Sequence, residues 1–482
     1  MLRLRYRDGD DVGKTLFDKL WDTHCIADLG GGTGLIAVDR ILLHERTGSV
    51  ALESLAAAGR AVLAPERAFA TMDHIVDTHP GRSDATLMPT GTAFITATRA
   101  ATRAAGITLF DLGDPRQGIV HVISPELGIV LPGLTLVCPD SHTGSQGAIG
   151  ALAWGIGSSE AEHALATGTL RVRRPGAMRI TISGRLAAGV TAKDLALHLL
   201  QDLGSAGARG MIVEYAGSAV TLLDIDERLT LCNMATELGA FSAIIAPDEL
   251  VFDYVCARPL APRGALWDRA LTEWRTLFSD ADAIFDREAA IDASAVAAMV
   301  SWGTNPQQSV PLASAVPGPG QSAGLRGGHE DAAALEYMAV VGGDPVHGLP
   351  IDAAFIGSCT NGRLSDLRRA AAILDGRRVA PGVRAICVPG SGEVKRAAEA
   401  EGIDRIFRDA GFEWREPGCS MCFFAGGESF GAGQRVISST NRNFESRQGP
   451  LVRTHLASPE TVAASAVAGT ITGVADLMPV AG

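Results

Sequence analysis

An α/β fold is predicted by three observations. Apolar, strand-like runs alternate with helical segments through most of the chain, the pattern of βαβ units. Those runs end in polar loops, as "FIGSCTN" and "VCPDSHT" do. The chain of 482 residues carries 56 glycines, which suits many tight strand–helix turns. Its length predicts about two to four domains. We place a first α/β region at 1–315, a Pro/Gly-rich linker at 316–330 and a second region at 331–482.

The elements follow in order. "GKTLFDKLWDTH" sets Leu16, Phe17, Leu20 and Trp21 on one face of a helix. "RAVLAPERAFATMDHIVDTHP" runs from an apolar stretch into a polar turn. Residues 118–143, "GIVHVISPELGIVLPGLTLVCPDSHT", read as short strands broken by Gly and Pro and ending in a polar loop. A helix is predicted from about Ser159, a strand over "AMRITISGRL", and a helix over "TAKDLALHLLQDL" capped by Thr191. The alternation continues to about residue 310. "ASAVPGPGQSAGLRGGHED" then marks the boundary. Beyond it, "IDAAFIGSCTNGRLSDLRRAAAIL" is a buried strand, a polar loop and a helix, and "RAICVPGSGEVKRAAEAEG" repeats that plan.

Composition excludes several classes. A net charge of -12 opposes the broad phosphate contacts of a nucleic-acid binder. No apolar run approaches the roughly 18 residues of a membrane span. The opening "MLRLRYRDGDDVGKTLFDKL" has no apolar core of a secretory leader. Eight cysteines without such a leader read as thiols or metal ligands, not disulfides. A cytoplasmic protein is expected.

Cys359 falls at the C-terminal end of a predicted strand, and Cys419 and Cys422 in a later loop. Strand-end loops are where α/β folds place their sites. Three cysteines match neither a closed four-ligand zinc site nor a thioredoxin pair. A zinc site would need a fourth ligand, and His is scarce in this half, with only His329, His347 and His455. Three thiolates suit a [4Fe–4S] cluster with one iron left open; three unrelated structural thiols are the other reading. The remaining five cysteines read as small core residues. Asp73–His74, His121, the run Asp140–Thr143 and Glu237 supply carboxylates and imidazoles, each alone also compatible with a hydrogen-bonded turn. Ser141, His142 and Asp140 are adjacent and point apart, so they form no relay by themselves. Arg442 and Arg447 sit in a polar loop, where guanidinium forks match carboxylates or simply face solvent.

Several stretches resemble the aconitase superfamily, and within it the large-subunit branch of the isopropylmalate dehydratases. They are "VCPDSHTGSQGAIGALAWGIGSSEAEHALAT", "FIGSCTN", "GFEWREPGCSMC" and "SSTNRNFESRQG", in the family's order from about Lys14 to Asp476. The resemblance implies three α/β/α domains around a cluster-bearing cleft. The first two are interleaved within 1–315, and the swivel domain is absent. It implies one [4Fe–4S] cluster per chain, with one open iron, on Cys359, Cys419 and Cys422. It implies that Asp73 pairs with His74, Asp140 with His121 and Glu237 with His142 as catalytic groups. Ser141, Asn441, Arg442 and Arg447 would bind a hydroxy-diacid. The expected reaction is reversible loss and re-addition of water on a substituted malate, foremost 2- and 3-isopropylmalate in leucine biosynthesis. Citramalate or dimethylmalate dehydration is an alternative, as is a cluster-free regulatory paralogue. The family's "GSSRE"-like loop with the serine base is missing, so a separate small subunit is expected to supply it. Three departures from the branch's pattern concern the substrate: "FFAGGESF" after Cys422, Ser446 where Gly is usual, and "CIADLGGGTGLIAVDR".

Overall fold

The computed structural model describes residues 13–321, 329–424 and 427–477. Residues 322–328 of the expected linker lie outside the described residues. The helix Leu16–His24 forms with Thr15 and Asp18 in a reciprocal capping box, and the helix Ala192–Leu203 is capped in the same way by Thr191 and Asp194.

Three parallel sheets carry the architecture. The first contains, in chain order, Arg40–His44, Ala68–Thr71, Thr108–Phe110, Thr135–Cys138 and Leu152–Gly155. Their spatial order is third, second, first, fourth, fifth, and all pairs are parallel. The last sheet contains Ala353–Ile356, Arg384–Cys387, Phe412–Trp414, Arg435–Ser438 and Arg453–Leu456 in the same spatial order. Between them in sequence, Gly176–Ser183, Met211–Ala216, Ser242–Ile245 and Arg287–Asp292 form a four-stranded parallel sheet. Central strands such as Thr135–Cys138 and Ala353–Ile356 are buried at every residue. That is why they read as unbroken apolar runs without alternation.

The strand order determines where a site can form. The strand order reverses direction at the first strand, so a crevice opens between the C-terminal ends of the first and fourth strands. In the first sheet this point lies between Arg40–His44 and Thr135–Cys138; in the last it lies between Ala353–Ile356 and Arg435–Ser438.

One expectation fails. Val120–Leu127 is a helix, not a strand. The segment is apolar and almost wholly buried, so its residues carry no periodicity to separate the two states. Pro125 sits inside this helix and lacks the N–H that would bond the His121 carbonyl. Gln146 Nε2 donates to that carbonyl instead, at 3.2 Å. Likewise Ser141–Ile149 is a run of tight 3₁₀ turns capped by Asp140, not an extended loop. No helix among the described residues is long and apolar enough to cross a membrane.

Candidate active site

A cavity of about 380 Å³ is lined by loops that leave both switch points. Cys359 follows the strand Ala353–Ile356, and Asn441 and Arg442 follow Arg435–Ser438. From the first sheet come His44, at the end of Arg40–His44, and Asp140, Ser141 and His142, just after Thr135–Cys138. Cys419 and Cys422 reach the same cavity from the segment after Phe412–Trp414.

All three thiols are buried. Cys359 Sγ accepts from Asn233 Nδ2 at 3.2 Å, and Asn441 Nδ2 lies 3.6 Å from it. An Arg447 guanidinium nitrogen lies 3.8 Å from Cys422 Sγ. The Cys419 N–H donates to the Asp73 carbonyl at 2.8 Å, which ties the thiol loop to the imidazole loop. Burial, and the charge of Cys422, push the Cys359 thiol up to about 11; burial raises Cys419 as well. Donors aimed at the sulfurs fit an iron–sulfur centre, whose thiolates take such hydrogen bonds.

Three serines next to site residues hold left-handed backbone: Ser358 at φ 82°, Ser420 at 46° and Ser446 at 61°. They flank Cys359, Cys419 and Arg447. Strain of this kind persists where surrounding structure enforces it, and it clusters at functional sites. Position 446 thus has the backbone that glycine adopts most easily.

The imidazoles and carboxylates form the expected pairs in space. Asp73 Oδ1 lies 2.5 Å from His74 Nδ1, Asp140 Oδ1 lies 2.8 Å from His121 Nε2, and Glu237 Oε1 lies 3.0 Å from His142 Nε2. Asp140 Oδ2 also approaches His74 Nε2 at 3.3 Å, so the first two pairs are joined. Asp73 is fully buried and its second oxygen accepts from the Val120 N–H at 2.9 Å. Against the downward pull of burial, the Asp73 charge holds the His74 imidazolium well above its usual range. Burial and the Arg442 charge push His142 down, favouring the neutral ring. Arg442 donates to Glu237 Oε1 at 2.7 Å and to Ser141 Oγ at 3.1 Å.

Several contributors escaped the sequence reading. His44 stacks on His74 with ring centroids 4.0 Å apart, and burial lowers it to about 4, so it stays neutral. Glu45 accepts from the backbone N–H groups of Asp73 and Ile75. Lys193 is wholly buried and donates to the carbonyls of Ser439, at 3.0 Å, and Thr440, immediately before Asn441. Burial lowers its ammonium to about 7. The signal for the first two was present in "RILLHERTGS": a polar tetrapeptide directly after an apolar strand.

Buried thiols, imidazole–carboxylate pairs and guanidiniums thus meet at two switch points. A family profile described as "Aconitase family (aconitate hydratase)" matches residues 18–469. The chain belongs to the aconitase family and is a hydro-lyase. More particularly, it is 54% identical over 467 residues to 3-isopropylmalate dehydratase large subunit 1 of Bradyrhizobium diazoefficiens, covering 96% of this chain and 97% of that protein. Among solved structures, the holo-form of Thermococcus kodakaraensis aconitase X matches 88% of this chain and 87% of that one. Its identity is 13% and the TM-score 0.43, too slight a likeness to bear on the details.

Proposed function

We propose that this chain is the cluster-bearing large subunit of a dehydratase that interconverts 2- and 3-isopropylmalate through the shared alkene, in the leucine pathway and in the cytoplasm. The observation that carries the proposal is one cavity lined by three thiols, three guanidiniums and the imidazoles of the three imidazole–carboxylate pairs. Cys359, Cys419 and Cys422 would hold one [4Fe–4S] cluster. When bound, it supplies a Lewis-acidic iron that polarises the substrate hydroxyl.

The remaining work falls to the chain. His74, between Asp73 and Asp140, is the proton store for the departing hydroxide. Asp140 keeps the His74 and His121 rings oriented toward the cavity. Arg442, held by Glu237, and Arg447 take the two carboxylates, with Ser141 and Asn441 beside them. The proton on carbon leaves to a serine of a separate small subunit, which we propose as the partner.

The test is iron and acid-labile sulfide on anaerobically purified protein, followed by alkene formation from 3-isopropylmalate with and without a small subunit. About four irons and four sulfides per chain, activity only with the small subunit, and loss of both in Cys359→Ser are expected. Zinc, or no metal after anaerobic reconstitution, would sink the reading. Turnover of citramalate or dimethylmalate in preference to isopropylmalate would move the chain to those paralogues.

A further inference from the structure

We propose that Arg46 is a further substrate-binding residue, a second guanidinium that closes with Arg447 on one carboxylate of the hydroxy-diacid. The inference rests on the substrate class proposed above and deepens it.

Arg46 lines the same cavity. One of its terminal nitrogens is buried without a hydrogen-bond partner, and Arg46 has no ion pair among the described residues. Its guanidinium carbon lies 5.0 Å from the ring centroid of Phe423. The Arg447 guanidinium carbon lies 4.5 Å from that same ring, and Arg447 Nε is likewise buried and unpartnered. One phenyl ring therefore holds two cations in a shared neighbourhood. Like charges held this way repel unless an anion neutralises them. The stacking also restrains both planar forks, which favours bidentate capture of a carboxylate.

The cavity's own acids are already engaged. Asp140 serves His74 and His121, Asp73 serves His74 and the Val120 N–H, and Glu237 serves His142 and Arg442. Glu45 faces the backbone N–H groups of Asp73 and Ile75. Arg442 differs from Arg46 because Glu237 and Ser141 already satisfy it. A terminal nitrogen of Arg46 and the Nε of Arg447 thus have no acceptor among the described residues, although another Arg447 nitrogen faces Cys422 Sγ. An incoming carboxylate supplies that acceptor.

The experiment compares wild type with Arg46→Met and Arg46→Lys. Met retains the apolar stem against Phe423 and removes the fork. Iron and sulfide content is measured first, to show the centre intact. In the enzyme assembled with its small subunit, KM for 2-isopropylmalate should rise about tenfold or more in Arg46→Met, with kcat within about threefold. Arg46→Lys should recover part of the loss. Calorimetric binding of 2-isopropylmalate to the isolated, reconstituted large subunit should weaken by the same factor.

Unchanged KM and Kd in Arg46→Met would overturn the proposal. A lowered melting temperature with unchanged Kd would overturn it too, by assigning Arg46 to packing Phe423. A KM effect absent from the isolated subunit would assign Arg46 to an acid of the small subunit and overturn it. If wild type fails to turn over isopropylmalate but binds malate in an Arg46-dependent manner, the substrate assignment falls and the carboxylate role of Arg46 stands.

Discussion

His74 and His121 meet on one carboxylate: Asp140 Oδ2 lies 3.3 Å from His74 Nε2, and Oδ1 lies 2.8 Å from His121 Nε2. The same side chain caps the turn that carries His142, through the His142 N–H at 2.7 Å. A single acid thereby orients three imidazoles that line one cavity.

Asp140→Asn should therefore lower kcat by about a hundredfold or more while leaving iron content unchanged. Because the rings share this acid, Asp140→Asn combined with His121→Asn should cost far less than the two single losses multiplied. Multiplicative losses in the double variant would show that the rings act independently.

Asn233 should matter without being a ligand. Its amide donates to Cys359 Sγ at 3.2 Å and to Ser145 Oγ at 2.9 Å. Asn233→Ala keeps all three thiols, so a cluster should still assemble. Its labile iron should be held about ten- to a hundredfold less tightly, and the reduction potential should fall as a hydrogen bond to sulfur is lost. Iron release to a chelator and an EPR-monitored titration measure both; wild-type behaviour in each would refute the role.

Gln146→Ala leaves the His121 carbonyl without a partner, because Pro125 has already removed its helical donor. An orphaned buried carbonyl costs about 1–3 kcal/mol. A lower denaturation midpoint is expected, with kcat reduced through misplacement of His121.

Glu45 gives a pH prediction. Burial, and the charge of Asp73, raise its carboxyl from an ordinary 4.5 to about 7 in the folded protein. The folded state thus keeps a proton that the unfolded chain releases. Stability from this group is full below pH 4.5 and is lost as pH rises to about 7. Glu45→Gln should remove that loss, gaining about 3 kcal/mol on wild type at pH 8 relative to pH 4. Parallel denaturation curves at both pH values would contradict it.

The legible parts of the sequence were the strand-end loops. "GSCTN", "PDSHT" and "TNRN" follow buried strands, and strand ends in parallel sheets are where sites gather. Motif order then pointed to the ligand set that no spacing argument could choose alone. The helix Val120–Leu127 was illegible because uniform burial erases periodicity and its internal proline argues against a helix. Arg46 and Lys193 were passed over for a related reason. Their importance lies in what surrounds them, a shared phenyl ring and two strand-end carbonyls, and neither neighbour is near in sequence.

The cavity draws on His44 at one extreme and Arg447 at the other. A ribosome adds about 5–20 residues per second, so His44 is made tens of seconds before Arg447. During that interval the early imidazoles exist without thiols to face, and Cys359 waits for Cys419 and Cys422. A metal centre on these thiols can only be installed after synthesis has passed Cys422.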